Sequence, residues 1–219
     1  PALAPHPFPP APARDDFDLP TLDLHFATLR RVPAENWLSL RARPGHLRLL
    51  GGESLCSRHA QSLVARRLQS CKAEAVTCLE FAPTTFQQMA GLVAFYDVNN
   101  WFYLRLSHDE SLGKSLRVVR CEKGAYAELD DHDLPVAGWP RVHLRARFDF
   151  AALRFAASPD GLAWTDLGPV LDAGRLADEH ATPLGFTGTF IGLCAQDLSG
   201  AALPADFDFF HYSETPPAP

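Results

Sequence analysis

The chain has 219 residues, 47% of them hydrophobic, with a formal net charge of -6. That length suits one all-β domain of ~200 residues, which buries roughly 70% of its unfolded surface and needs no disulfide or metal staple. The mild acidity, without a basic run, argues against nucleic acid as a partner, and no apolar run approaches the ~20 residues that span a bilayer, which argues against a membrane one.

The cysteines are Cys56, Cys71, Cys78, Cys121 and Cys194, an odd count with no C-x-x-C. Neither a zinc site nor a disulfide framework is indicated. Most lie in apolar patterns, where a thiol packs as a small hydrophobe. The corresponding expectation is a reducing, cytoplasmic compartment.

In chain order, the Pro- and Ala-rich residues 1–14 read as an interdomain linker, cut from something longer, because proline favours extended backbone and cannot join a ladder. The folded domain is expected over residues 15–214 and a disordered tail over 215–219. Asp15-Asp16-Phe17-Asp18 opens that domain, and Asp206-Phe207-Asp208-Phe209-Phe210-His211-Tyr212 closes it. If these first and last strands pair, Asp16, Asp18, Asp206 and Asp208 converge. A structural calcium near Asp16 and Asp206 is then an expectation, since calcium takes six to eight oxygens. The competing reading leaves those carboxylates in solvent, with Phe17, Phe207 and Phe209 inward; no calcium-loop spacing is present.

Strands are predicted near residues 47–50 after the Pro44-Gly45 turn, over Ser62–Arg67, and over Cys71–Phe81, where Ala73, Ala75, Thr77, Leu79 and Phe81 share a face. Gln87 to Ser107 then reads as a central hairpin around Asp97-Val98-Asn99-Asn100, residues that suit turns. A tight closure sets Tyr96 opposite Trp101, Phe95 opposite Phe102 and Val93 opposite Leu104. One face is then wholly apolar. The other collects Tyr96, Trp101, Tyr103 and Arg105, a candidate contact face for carbohydrate or another domain. Strands follow at Leu116–Cys121 and Ala125–Leu129. In Arg141–Phe148, Val142, Leu144, Ala146 and Phe148 alternate with basic residues. A hairpin turns at Asp160-Gly161, and Trp164 beyond it is expected in the core. A short helical turn near 173–179, the glycine-punctuated GFTGTF from Gly185, and a strand over Ile191–Ala195 complete the series. About a dozen short strands without a long amphipathic helix or a repeat predict an all-β fold, a two-sheet antiparallel β-sandwich.

Catalytic signatures are sparse. There is no G-x-S-x-G, no H-E-x-x-H and no phosphate-binding glycine loop. Glu128-x-Asp130-x-x-Asp133 is the one carboxylate spacing suggestive of glycoside hydrolysis, but it sits between Gly124 and Pro135 and reads as a solvated acidic loop. No catalytic residue, metal ligand or cofactor site is assigned to this chain.

Several stretches together resemble a known family: DDFD at Asp15, ENWLSLRARPGHLRL at Glu35, SLVARRLQ at Ser62, FQQMAGLVAFYDVNNWFYLRLSHDE at Phe86, SPDGLAW at Ser158, GFTGTFIGLCAQDLSG at Gly185 and ADFDFFHY at Ala205. The family is the C-terminal concanavalin A-like β-sandwich (jelly roll) of bacterial glycoside hydrolase family 43 β-xylosidases. The resemblance implies that catalysis, by two Asp and one Glu with inversion, belongs to an N-terminal five-bladed β-propeller outside this chain. It further implies that the sandwich packs on the propeller and that a loop with Phe186 and Thr187 reaches the shared xylo-oligosaccharide site. The full-length protein is then expected to form homo-oligomers. The chain alone is expected to be an inert accessory domain of an exo-acting β-xylosidase or α-L-arabinofuranosidase. The alternatives are an autonomous carbohydrate-binding module using the Trp101 face, or a sandwich hydrolase using Glu128 and Asp130.

Overall fold

The computed structural model describes residues 12–129, 133–181 and 185–215. Most of the expected linker and tail, and Asp130, lie outside these residues. The described strands in chain order are β1 (Arg14–Asp15), β2 (Phe26–Thr28), β3 (Leu38–Ser39), β4 (Leu47–Leu50), β5 (Ser62–Arg67), β6 (Lys72–Glu80), β7 (Gln88–Asp97) and β8 (Asn100–Asp109). They continue with β9 (Gly113–Glu122), β10 (Ala125–Glu128), β11 (Leu134–Pro135), β12 (Val142–Asp149), β13 (Ala152–Ser158), β14 (Thr165–Asp172), β15 (Phe190–Asp197) and β16 (Pro204–Glu214), with a 3-10 turn over Ala173–Leu176.

Two antiparallel sheets form the sandwich. The first runs β14-β13-β12-β6-β16-β4-β3, with β1 also on β16; the second runs β10-β9-β8-β7-β15-β5-β2, with β11 also on β9. Alternation explains the faces: Ala73, Ala75 and Leu79 of β6 and Val142, Leu144, Ala146 and Phe148 of β12 enter the inter-sheet core with Leu92, Phe102, Leu104 and Leu193 of the opposing sheet. The intervening basic residues of β12 face outward. There Arg147 donates to Glu74 at 2.8 Å, and Arg145 lies 4.3 Å over the Trp164 ring. Trp164 is therefore outside the core: its ring covers a guanidinium instead.

Two bulges change what the sequence periodicity predicts. In β16 the pairing with β6 shifts between Phe207 and Phe210. The shift turns Phe207, Phe210 and Tyr212 inward and puts Phe209 on the outer side, under the Arg14 guanidinium at 3.7 Å. Thr77 donates to the bulged Phe209 carbonyl at 2.6 Å, giving that displaced acceptor a partner.

The second bulge is at Tyr96. Asp97 pairs with Asn100 around Val98-Asn99, but below that Phe95 pairs with Trp101, Ala94 with Phe102 and Val93 with Tyr103. Asp97 Oδ1 accepts from Asn99 N and Asn100 Nδ2, both at 2.9 Å, which favours the tighter turn. One extra residue on β7 exchanges the faces of that strand. Leu92, Ala94 and Tyr96 join Phe102 and Leu104 in the main core, whereas Val93, Phe95, Trp101 and Tyr103 form a second cluster on the outer side of the sheet. The expected grouping of Tyr96 with Trp101, Tyr103 and Arg105 does not occur.

Candidate functional site

The second cluster is covered. Leu55, on the segment between β4 and β5, belongs to it, and the Tyr126 ring of β10 packs tilted at 60° against Trp101 with ring centroids 6.0 Å apart. Trp101 is only 2% exposed and Tyr103 1%. Their polar atoms are used internally: Trp101 Nε1 donates to Val98 O at 3.3 Å and Tyr103 OH to Cys194 O at 3.1 Å. Neither ring is open for a sugar to stack on.

Arg105 is likewise buried, donating to Glu128 Oε2 at 3.0 Å. Tyr126 donates to the other Glu128 oxygen at 2.7 Å, and Arg117 pairs with both Glu128 and Asp133. The expected solvated loop is thus, at Glu128 and Asp133, an ion-paired patch. Burial alone raises the Glu128 carboxyl, but the Tyr126 hydroxyl and the Arg105 and Arg117 guanidinia outweigh it and hold the group below the usual range. A general acid needs the opposite displacement.

The expected calcium cluster is not assembled either. Asp16 accepts from Arg14 at 2.7 Å. Asp206 lies farther along β16, where Arg48 donates to its two oxygens at 2.7 and 2.8 Å and Arg43 adds a bond at 3.1 Å. Two guanidinia occupy the carboxylate that calcium would require. Among the described residues, no three His, Cys, Asp or Glu side chains gather to hold a metal.

The Phe186 loop differs from all of these. Phe186 is 80% exposed, with φ at +53°, a left-handed conformation that costs a bulky L-residue energy. Phe186 and Thr187 line a cavity of about 420 Å³ floored by Phe95, Leu63 and Ala65. The bulged Tyr96 holds both limbs of the loop. Its hydroxyl donates to Asp178 Oδ1 at 2.5 Å and accepts from Gly185 N at 3.1 Å. Its carbonyl accepts from Thr187 Oγ1 at 3.5 Å. A Cβ at Gly185 would stand 2.7 Å from the Tyr96 hydroxyl, so only glycine allows this approach. Burial, and next the hydrogen bond to the Asp178 carboxylate, push the Tyr96 hydroxyl above its ordinary pKa. Farther on, Arg67 donates to Thr187 O and lies 4.7 Å over the Phe190 ring, while Thr189 Oγ1 donates to Leu176 O at 2.9 Å.

Of the residues singled out in sequence, Tyr96 therefore joins Phe186 and Thr187, and parts from Trp101, Tyr103 and Arg105. The supporting residues Asp178 and Arg67 were not legible. Asp178 stands in an irregular segment with no periodic signal, and Arg67 looks like an ordinary strand-end charge.

Residues 14–213 match the family described as the beta-xylosidase C-terminal concanavalin A-like domain. The chain is 40% identical over 215 residues to a xylan 1,3-beta-xylosidase of a Vibrio species, covering 98% of this chain and 40% of that protein. It is 39% identical to a beta-xylosidase of Bacillus subtilis strain 168, over 93% of this chain and 38% of the relative. The crystal structure of a xylan beta-1,4-xylosidase from Bacillus halodurans C-125 superposes with a TM-score of 0.94 at 45% identity, over 98% of this chain and 41% of that one. The chain thus spans about 40% of the length of these relatives. With a two-sheet sandwich and a family match along almost its whole length, the chain belongs to the C-terminal concanavalin A-like domains of glycoside hydrolase family 43 beta-xylosidases.

Proposed function

We propose that this chain is a non-catalytic accessory domain that packs on the catalytic domain of a beta-xylosidase or arabinosidase and completes its substrate pocket with the Phe186 loop. The observation that carries this reading is an aromatic ring 80% exposed at a left-handed backbone position, on a loop tethered at both limbs by Tyr96. A strained, braced and unpacked aromatic suits a group presented to something outside the chain. A phenyl edge at a pocket mouth can stack on the apolar face of a sugar ring and block the path of a longer chain. The names of similar proteins support the substrate class: beside the xylosidases above, a xylosidase/arabinosidase of Humicola insolens is 34% identical over 83% of this chain. The catalytic propeller and any oligomer of the full-length protein belong to the same proposal.

The test has two arms. The isolated chain, incubated with an aryl β-xyloside, releases no phenol, and clear turnover abolished by Glu128→Gln would overturn the reading. In the full-length enzyme, Phe186→Ala lowers kcat/KM by about tenfold, the order expected when roughly 1.4 kcal/mol of transition-state contact is lost.

A further inference from the structure

A turn over residues 54–57 lies against the outer side of the second sheet. Ser57 N donates to Ser54 O at 2.8 Å and Cys56 N to Ser54 Oγ at 3.3 Å. Leu55 N donates to Gln196 Oε1 at 3.3 Å, which ties the turn to β15. The Leu55 side chain enters the outer cluster beside Trp101, Tyr103 and Cys121. Cys56, the next residue, is exposed, whereas Cys121 of β9 is 1% exposed. The register sets Cys121 between Trp101 of β8 and Tyr126 of β10.

The two thiols meet at this seam. Burial pushes the Cys121 thiol up to about 12, and Cys56 adds to the rise through its charge and through a hydrogen bond between the two side chains. Cys56 also acts on the neighbouring strand. Burial and then the Glu128 hydrogen bond raise the Tyr126 hydroxyl, with Cys56 a smaller contributor. The exposed thiol thus sits against β9 and β10 at the level where Cys121 and Tyr126 pair. Both cysteines are free. Thiols already in hydrogen-bond contact, on a tethered turn, need little backbone movement to reach disulfide geometry.

From this contact we infer that Cys56 and Cys121 form a reversible disulfide site, closed by exchange with a small-molecule disulfide of the glutathione type. The inference is independent of the role of the Phe186 loop. Exchange proceeds by thiolate attack. Cys56, reachable from solvent, loses its proton to water and attacks one sulfur of glutathione disulfide. The first glutathione leaves as a thiolate and takes up a proton. Cys121 then loses its proton to solvent base and attacks Cys56 Sγ. The bond from Cys56 to glutathione breaks, and the second glutathione leaves and is protonated. Two protein thiols are oxidised by two electrons, and one small disulfide is reduced to two thiols. Burial fixes this order, because Cys121 is out of reach of a bulky oxidant but touches Cys56. It also makes the second step the slow one, since a thiol at about 12 is scarcely ionised at neutral pH. The product pins the Leu55 turn to β9 and restricts the unfolded chain by closing a long loop.

The test incubates the full-length enzyme with glutathione disulfide, alkylates remaining thiols after denaturation, and maps the peptides by mass spectrometry. The expected product joins the Cys56 and Cys121 peptides, appears after a glutathione adduct on Cys56, forms faster as pH rises, and is separated by dithiothreitol. In Cys56→Ser, Cys121 should be recovered wholly alkylated. In Cys71→Ser, which removes the other exposed thiol, the link should form as before. Amide exchange over residues 53–60 should slow severalfold on oxidation of the parent and stay unchanged in Cys56→Ser. Recovery of Cys56 only as its glutathione adduct, with Cys121 alkylated, would overturn the inference. So would oxidation of Cys121 in Cys56→Ser, or loss of the link in Cys71→Ser, since either assigns Cys121 a different partner.

Discussion

At the residue scale, Tyr96 and Phe186 work against each other energetically. Phe186 holds a backbone conformation that L-residues avoid, and Tyr96 anchors the two limbs that impose it. Removing the Tyr96 hydroxyl leaves the Gly185 amide and the Asp178 carboxylate without this partner. Tyr96→Phe is expected to cost about 1–2 kcal/mol in denaturant unfolding and to speed amide exchange at residues 185–187. Unchanged exchange there would show that the hydroxyl does not brace the loop. Phe186→Gly relieves the backbone instead. It should raise stability by roughly 0.5–1 kcal/mol, because an exposed ring gives up little packing while glycine accepts the positive φ. The same change should lower the activity of the full-length enzyme, so stability and turnover move in opposite directions.

At the element scale, the periodicities of β6 and β12 were legible because each has one dry and one wet face. The bulges were not. Tyr96 and Phe209 are aromatics inside alternating runs, and a pattern of period two gives no sign that one residue has been added. Only the turn bonds from Asp97 and the Thr77 bond to the displaced carbonyl fix the local register. β2 was missed for a different reason: three residues cannot display a period. Of the candidate site, the Phe186 loop was legible through the family resemblance, whereas its Tyr96 clamp required the bulge to be known. Electrostatics on β16 provide a check at this scale. Burial raises the Asp206 carboxyl, but Arg48 and Arg43 more than offset it and hold the group below its ordinary range. A depressed carboxylate contributes stability that is complete above its unfolded pKa of about 3.9 and is lost as pH falls through the lower folded value. Asp206→Asn should cost about 3 kcal/mol at pH 7, the low end for breaking a buried pair because both arginines keep some water. It should also flatten the acid limb of the stability curve below about pH 4. An equally steep limb in the variant would assign that limb to other carboxylates.

At the scale of the whole molecule, one side of the sandwich gathers the features that its own core does not use. The outer cluster around Trp101 is sealed by Leu55 and Tyr126, and the outer side of β12 and β6 carries ion pairs. The cavities beside β2 and the Phe186 loop remain open and share Ala27 and Thr28 in their walls. On the proposed reading, a domain built this way supplies shape to a neighbour rather than chemistry of its own. The most direct measurement of that claim is the dependence of kcat/KM on substrate length in the full-length enzyme, with and without Phe186→Ala. If the Phe186 ring limits the depth of the pocket, the variant loses efficiency on the shortest xylo-oligosaccharide by about tenfold, roughly 1.4 kcal/mol. Its preference for short over long substrates then narrows, with melting unchanged. A variant with the same kcat/KM on every chain length as the parent would contradict the account.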